Sequence, residues 1–152
     1  MKRSFWWYTL LAAIVIFCDQ LSKFWALRGA VNSVNVTTFL DFELTFNRGV
    51  SWGLLSFSSP LAHGLVSVAI FAALSLLAVY TLVEWLNHRT VIAPVMLFAG
   101  GLSNWIDRLM RPGVVDFIKL HAGGFVWPTF NIADMCVVLG LIIIIAGFSR
   151  DK

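Results

Sequence analysis

The 152 residues are 59% hydrophobic and only 12% charged, with a mean hydropathy of +0.84, against roughly 45–50% apolar and about 25% charged in an average soluble domain. That composition excludes a disordered chain and argues for lipid as the solvent. Eleven Lys and Arg against eight Asp and Glu leave a formal charge of +3, too small an excess to suggest the basic face that nucleic acid requires.

Taken in chain order, apolar runs predict four transmembrane helices in a single domain spanning residues 1–152. The first covers Phe5 to about Trp25. Lys2 and Arg3 before an apolar run mimic a secretory signal, but the run continues through Asp19 to Lys23 without a small-residue cleavage site, so a retained helix is expected. Leu61 to Val83 is uncharged for twenty-three residues, long enough for a hydrocarbon core of roughly 30 Å. Val91 to Ile106 starts with Pro94 in its first turn and carries Gly100, Gly101 and Ser103, small residues that let helices approach closely. The last span runs from about Phe130 to Phe148.

Between the spans, Leu40 to Asn47 alternates Leu40, Phe42, Leu44 and Phe46 with Asp41, Glu43, Thr45 and Asn47, the pattern of a half-buried strand. Val34 and Val36 offer it a hairpin partner. Val114 to Leu120, then Ala122-Gly123-Gly124, then Phe125 to Trp127 reads as strand, turn, strand. The expected fold is therefore an all-α polytopic membrane protein with a small extramembrane β-structure, and residues 52–60 are uncharged enough to lie in the interface.

Four spans put both termini on one side. That side exposes fifteen residues holding Lys2, Arg3, Arg89, Arg150 and Lys152, whereas fifty-eight residues on the other hold Arg28, Arg48, Arg108, Arg111 and Lys119. The denser basic side is expected to be cytoplasmic, and the long loops to face outward.

On this topology Asp19, Asn47, Arg48, Asn104, Asp107, Arg108, Asp116, Asn131 and Asp134 fall in one layer near the outer ends of the spans. Asp19 with Lys23 reads as a structural i,i+4 pair, its acid deep enough to meet partners across the bundle. Asp107 and Arg108, being adjacent on a helix, each need another partner, and the pair divides evenly between packing and function. Asp134 could be a helix N-terminal acid favoured by the dipole. Asp116 is harder to dismiss, because a carboxylate inside Val114-Val115-Asp116-Phe117-Ile118 gains nothing for stability. Should Asp116 and Asp134 converge in a poorly solvated pocket, repulsion and desolvation would keep one protonated, the proton state of an aspartic protease dyad.

Other chemistries find less support. His63, His88 and His121 are scattered, and Cys18 and Cys136 lie in spans as expected buried free thiols, so no metal-ligand spacing appears and no cofactor is implied. No serine has nucleophile-elbow context, Ser103 reads as helix packing, and Gly100-Gly101 is no phosphate loop.

Five blocks then carry a family resemblance: Asp19-Gln20-Leu21-Ser22-Lys23, Asn47-Arg48-Gly49-Val50-Ser51-Trp52-Gly53, Gly100 through Arg108, Gly113 through Ile118, and Phe130-Asn131-Ile132-Ala133-Asp134. In that order and near that spacing they resemble lipoprotein signal peptidase, or signal peptidase II, a bacterial inner-membrane aspartic protease. The resemblance implies removal of signal peptides from prolipoproteins, with the cut before a diacylglyceryl-modified cysteine. It implies Asp116 and Asp134 as the catalytic pair and Asp19, Asn47, Asn104, Arg108 and Asn131 as residues supporting the dyad or substrate. Four helices with a small β-structure, membrane lipid as a partner and sensitivity to globomycin-type inhibitors follow from it too. Val50-Ser51-Trp52 stand where the family usually has two small residues and Phe. The rival readings are a non-enzymatic four-helix transporter, whose polar path would have to continue into the inner half of the membrane, and a homologue that binds signal peptides without cutting them.

Overall fold

The computed structural model describes residues 5–29, 33–49 and 60–148. Its elements run α1 (Phe5–Gly29), β1 (Val34–Thr37), β2 (Leu40–Asn47), α2 (Pro60–Leu86), α3 (Ile92–Met110), β3 (Val114–Ala122), β4 (Phe125–Val126) and α4 (Ile132–Phe148). The helices outrun the expected spans where a span was closed at its charged residues. α1 continues through Arg28, and α3 continues through Asp107 and Arg108 because those side chains find partners inside the protein. α4 starts two residues later than expected, since Asn131 caps it. Among the described residues, two helices, Phe5–Gly29 and His63–Leu86, are long and apolar enough to cross a membrane. α4 adds a shorter apolar helix over Ile132–Gly147. The expected interfacial stretch 52–60 lies outside the described residues except for Pro60, which opens α2.

α3 is the central helix and packs against α1, α2 and α4. Val95, Ala99, Ser103 and Asp107 recur every fourth residue and are all buried, the spacing of one helix face. The α3–α4 contact is close at both ends. A Cβ on Gly100 would stand 2.5 Å from the Ala133 carbonyl oxygen, and one on Gly140 would stand 2.8 Å from that of Ala93. Small residues here do what they do in lipid generally, letting backbones touch. Trp105 fastens α2 to α3, stacking on Phe71 at 4.9 Å and donating its indole N–H to the Ser67 carbonyl at 3.0 Å.

The four strands form one antiparallel sheet in the order β1-β2-β3-β4, so the expected hairpins are both present. One expectation is overturned. Phe42 pairs with Ile118 and Thr45 with Asp116, so Glu43 and Leu44 together oppose Phe117. This β-bulge interrupts the alternation. Asp41 and Glu43 share a face with Lys119 and His121, and Glu43 accepts a hydrogen bond from Lys119 Nζ at 2.6 Å. Thr45 and Asn47 emerge on the opposite face with Asp116 and Val114. Directly paired residues point to the same side of a sheet, so the four polar residues do not form the single polar face that simple alternation predicts.

Candidate active site

The site begins with the way α4 starts. The first turn of a helix has unpaired N–H groups that need acceptors. Asn131 Oδ1 accepts the N–H of Asp134 at 2.9 Å, and the Asp134 carboxylate accepts the N–H of Asn131 at 3.3 Å, a reciprocal capping box. Asp19 Oδ1 reaches across from α1 to accept the N–H of Ala133 at 2.8 Å. Asp134 is thus held by its own helix end, and Asn104 Nδ2 donates to its other oxygen at 2.8 Å.

Asp116 comes from β3. Phe130 fixes that strand to the start of α4, its N–H donating to the Ile118 carbonyl at 3.0 Å and its carbonyl accepting from Phe117 and Ile118. The Asn131 amide then donates to Asp116 Oδ1 at 2.6 Å, and lies near the Val115 carbonyl and Asn104 Oδ1 as well. A single asparagine therefore touches both acids of the expected pair. Asp116 is 1% exposed. Burial pushes its carboxyl up to about 7, the charge of Asp134 adds to the rise, and hydrogen bonds from Asn47 and Asn131 oppose it.

Beside this pair lies a neutralised charge cluster. Lys23 is fully buried and spends its three protons on Asp19 Oδ2 at 2.6 Å, Asp107 Oδ2 at 2.9 Å and Asn104 Oδ1 at 2.8 Å. Ser103 donates to Asp19 at 2.7 Å, so it is a polar link as well as the packing residue expected. Asp107 takes further donors from Gln20, the Val115 N–H and Arg111. Buried charges are costly unless paired and hydrogen-bonded, and here each carboxylate oxygen has a donor. The cluster ties α1, α3, β3 and α4 into one layer.

Arg108 Nη2 donates to the Gly49 carbonyl at 2.6 Å, and the Gly49 N–H donates to Asn47 Oδ1 at 3.0 Å. The other guanidinium nitrogen, Nη1, is buried with no hydrogen-bond partner among the described residues, and Arg108 lines an open cleft of about 410 Å³. Asn47, Asn104, Arg108, Thr129 and Asp134 line its polar part, and Met135, Val138 and Leu139 continue it down α4.

All seven residues expected from the sequence, Asp19, Asn47, Asn104, Arg108, Asp116, Asn131 and Asp134, fall within this one connected region. The central part played by Lys23, Gln20 and Ser103 was not foreseen, although the i,i+4 spacing of Asp19 and Lys23 marked part of it. Among the described residues no group of His, Cys, Asp and Glu could hold a metal ion. Cys18 and Cys136 are free thiols, but neither is buried as expected, Cys18 being exposed on α1 and Cys136 half-buried on α4.

Residues 11–149 match the sequence family described as signal peptidase (SPase) II. The chain is 36% identical over 154 residues to a lipoprotein signal peptidase of Aquifex aeolicus, covering 100% of this chain and 91% of that protein. It is 31% identical over 155 residues to one of Francisella tularensis subsp. novicida, covering 95% and 94%. Two solved bacterial membrane enzymes have similar folds. One has a TM-score of 0.79 and 28% identity, covering 97% of this chain and 90% of that one. The other has a TM-score of 0.76 and 29% identity, covering 97% and 96%.

Proposed function

Because the chain belongs to the signal peptidase II family and removes signal peptides from prolipoproteins, we propose that it does so as an aspartic endopeptidase, with Asp116 and Asp134 as the catalytic pair. The observation that carries this reading is the meeting of two carboxyl groups at one asparagine, Asn131, beside an amphipathic cleft. Asp134 lines the cleft and accepts two N–H donors, which suits an ionised carboxylate that deprotonates a water. Asp116, buried and beside that charge, suits the protonated partner that donates to the scissile carbonyl.

In this mechanism the water oxygen attacks the carbonyl carbon as its proton passes to Asp134. The carbonyl oxygen takes the Asp116 proton, and the diol collapses with a proton returned to the departing amine. The C–N bond breaks, and the amine becomes the N-terminus of the lipidated cysteine. Asn104 and Asn131 fix the dyad, Asp19 supports the start of α4, and Arg108 and Asn47 receive the peptide.

The reading extends to topology. Four spans with cytoplasmic termini would set the site at the outer face of the bacterial membrane, where a diacylglyceryl chain and a signal helix can arrive laterally and water is available. The apolar part of the cleft, from Met135 to Leu139, fits lipid or the apolar signal segment, and a globomycin-type inhibitor would compete there. A transport path is not favoured, since Leu61 to Val83 and Leu141 to Ile145 carry almost no polar side chains to continue one through the inner half.

The test is cleavage of a diacylated reporter prolipoprotein. Asp116→Asn and Asp134→Asn should each abolish turnover while the protein still folds, as shown by a cooperative thermal transition. Substantial turnover in either variant would sink the dyad assignment.

A further inference from the structure

The hydroxyl oxygens of Thr45 and Thr129 stand 2.8 Å apart, and Thr45 Oγ1 is 3.4 Å from the Asp116 carbonyl oxygen. Thr45 comes from β2, on one edge of β3, and pairs directly with Asp116. Thr129 comes from the other edge, one residue before the Phe130 bridge to Ile118. The two hydroxyls meet across β3, Thr45 standing on the face that carries the Asp116 side chain. They do so because of the bulge at Glu43 and Leu44, without which Thr45 would point with Asp41 and Glu43 to the other face. Thr129 is also part of the cleft wall, along with Asn104, Arg108 and Asp134.

Two hydroxyls bring two protons. In one arrangement Thr129 donates to Thr45, and Thr45 donates to the Asp116 carbonyl over a long 3.4 Å contact. In the other, Thr45 donates to Thr129, and the Thr129 proton is free to point into the cleft. The second arrangement gives up only the weaker of the two contacts. Its neighbour Pro128 has no N–H to offer, so a side-chain donor at Thr129 supplies what the backbone one residue earlier lacks. A peptide carbonyl is the complementary acceptor, and it is present whatever the side chains of the signal peptide.

We propose that Thr129 is a substrate-binding residue whose hydroxyl donates to a backbone carbonyl of the prolipoprotein beside the scissile bond, and that Thr45 positions that hydroxyl by turning its proton into the cleft. The inference rests on the peptidase reading above. It makes the hydroxyl pair a specificity element for extended peptide, separate from the acids that perform the chemistry.

The experiment measures kcat and KM for the diacylated reporter with Thr129→Val, Thr129→Ser, Thr45→Val and the double valine variant. Loss of one neutral hydrogen bond to substrate should lower kcat/KM about tenfold in Thr129→Val, mainly through KM. Thr129→Ser should recover most of that. Thr45→Val should cost less, about threefold, and nothing more once Thr129 is valine. The pH dependence of kcat should stay in place. Thr129→Ala, which leaves room for the peptide but no donor, replaces the valine variant should that fail to fold. The proposal is overturned if removing the hydroxyl changes kcat/KM less than twofold, if serine is as poor as valine, or if the pH profile moves, which would mean the pair acts on Asp116 instead. Failure of the unaltered protein to cut the reporter would defeat the peptidase reading itself, and this proposal with it.

Discussion

Asn131 and Asp134 cap the same helix turn and each other, the Asn131 side chain accepting from the Asp134 N–H at 2.9 Å while the Asp134 carboxylate accepts from the Asn131 N–H at 3.3 Å. A group proposed for catalysis is thereby part of what starts α4, so stability and activity share a residue. Asn131→Ala removes the cap, typically worth about 1 kcal/mol, and leaves buried acceptors on Val115 and Asp116 without this donor, which adds about 1–3 kcal/mol. The expected result is a loss of about 2–4 kcal/mol in denaturant unfolding in micelles, together with a large fall in cleavage rate.

Acid–base behaviour follows from Asp116. An unfolded chain ionises an Asp near pH 3.9, whereas the folded protein holds this proton up to about 7, chiefly through burial. The carboxyl's contribution to stability is therefore complete below about pH 4 and is lost progressively as the pH rises to about 7. Asp116→Asn has no such titration, so thermal unfolding should show the variant gaining on the parent protein across that window. Cleavage by the parent should decline above about pH 7 as the pair loses its shared proton. Asn47→Ala, which removes a hydrogen bond favouring the ionised form, should move that decline to higher pH.

Lys23 is the cation on which the buried cluster depends. Lys23→Met keeps the volume but leaves Asp19 and Asp107 close together and fully buried. Breaking a buried pair by removing one partner costs about 3–5 kcal/mol. Equilibrium unfolding should show a loss of that order at neutral pH. An unchanged unfolding midpoint would count against the cluster's structural weight.

Backbone proximity makes a contrast between two glycines. Gly100→Ala puts a methyl 2.5 Å from the Ala133 carbonyl oxygen and 2.9 Å from Val137 Cγ2, and overpacking of this kind costs about 1–3 kcal/mol. The same shift displaces the first turn of α4, so cleavage should fall as well. Among the described residues a Cβ on Gly64 would meet nothing within 4 Å, and Gly64→Ala should leave both unfolding and cleavage essentially unchanged.

The sequence carried most of this because charge is rare in an apolar chain. Each ionic or amide side chain near a span end had to be explained, and Asp116, surrounded by Val114, Val115, Phe117 and Ile118, was conspicuous for that reason. The strands were legible from period-two alternation and from Gly123-Gly124, both of which adopt positive φ in the turn. Two kinds of information were not legible. Lys23 looked like half of a local pair, and its contacts with Asn104 and Asp107 depend on which faces of α1 and α3 meet. The bulge left no mark in β2, since Glu43 and Leu44 continue the alternation faultlessly and only the pairing with β3 shows that two residues stand opposite one.

That uncounted residue makes length, rather than composition, a property of the site. Replacing Glu43 or Leu44 alters one side chain, whereas deleting Leu44 would leave Glu43 alone opposite Phe117, with Phe42 still against Ile118 and Thr45 still against Asp116. The bulge would be lost and the faces kept, but a residue added there would set three against one and turn Thr45 and Asn47 towards the Lys119 face unless the bulge widened. A one-residue insertion between Phe42 and Thr45 should thus be far more damaging to cleavage than a one-residue deletion or any single substitution there.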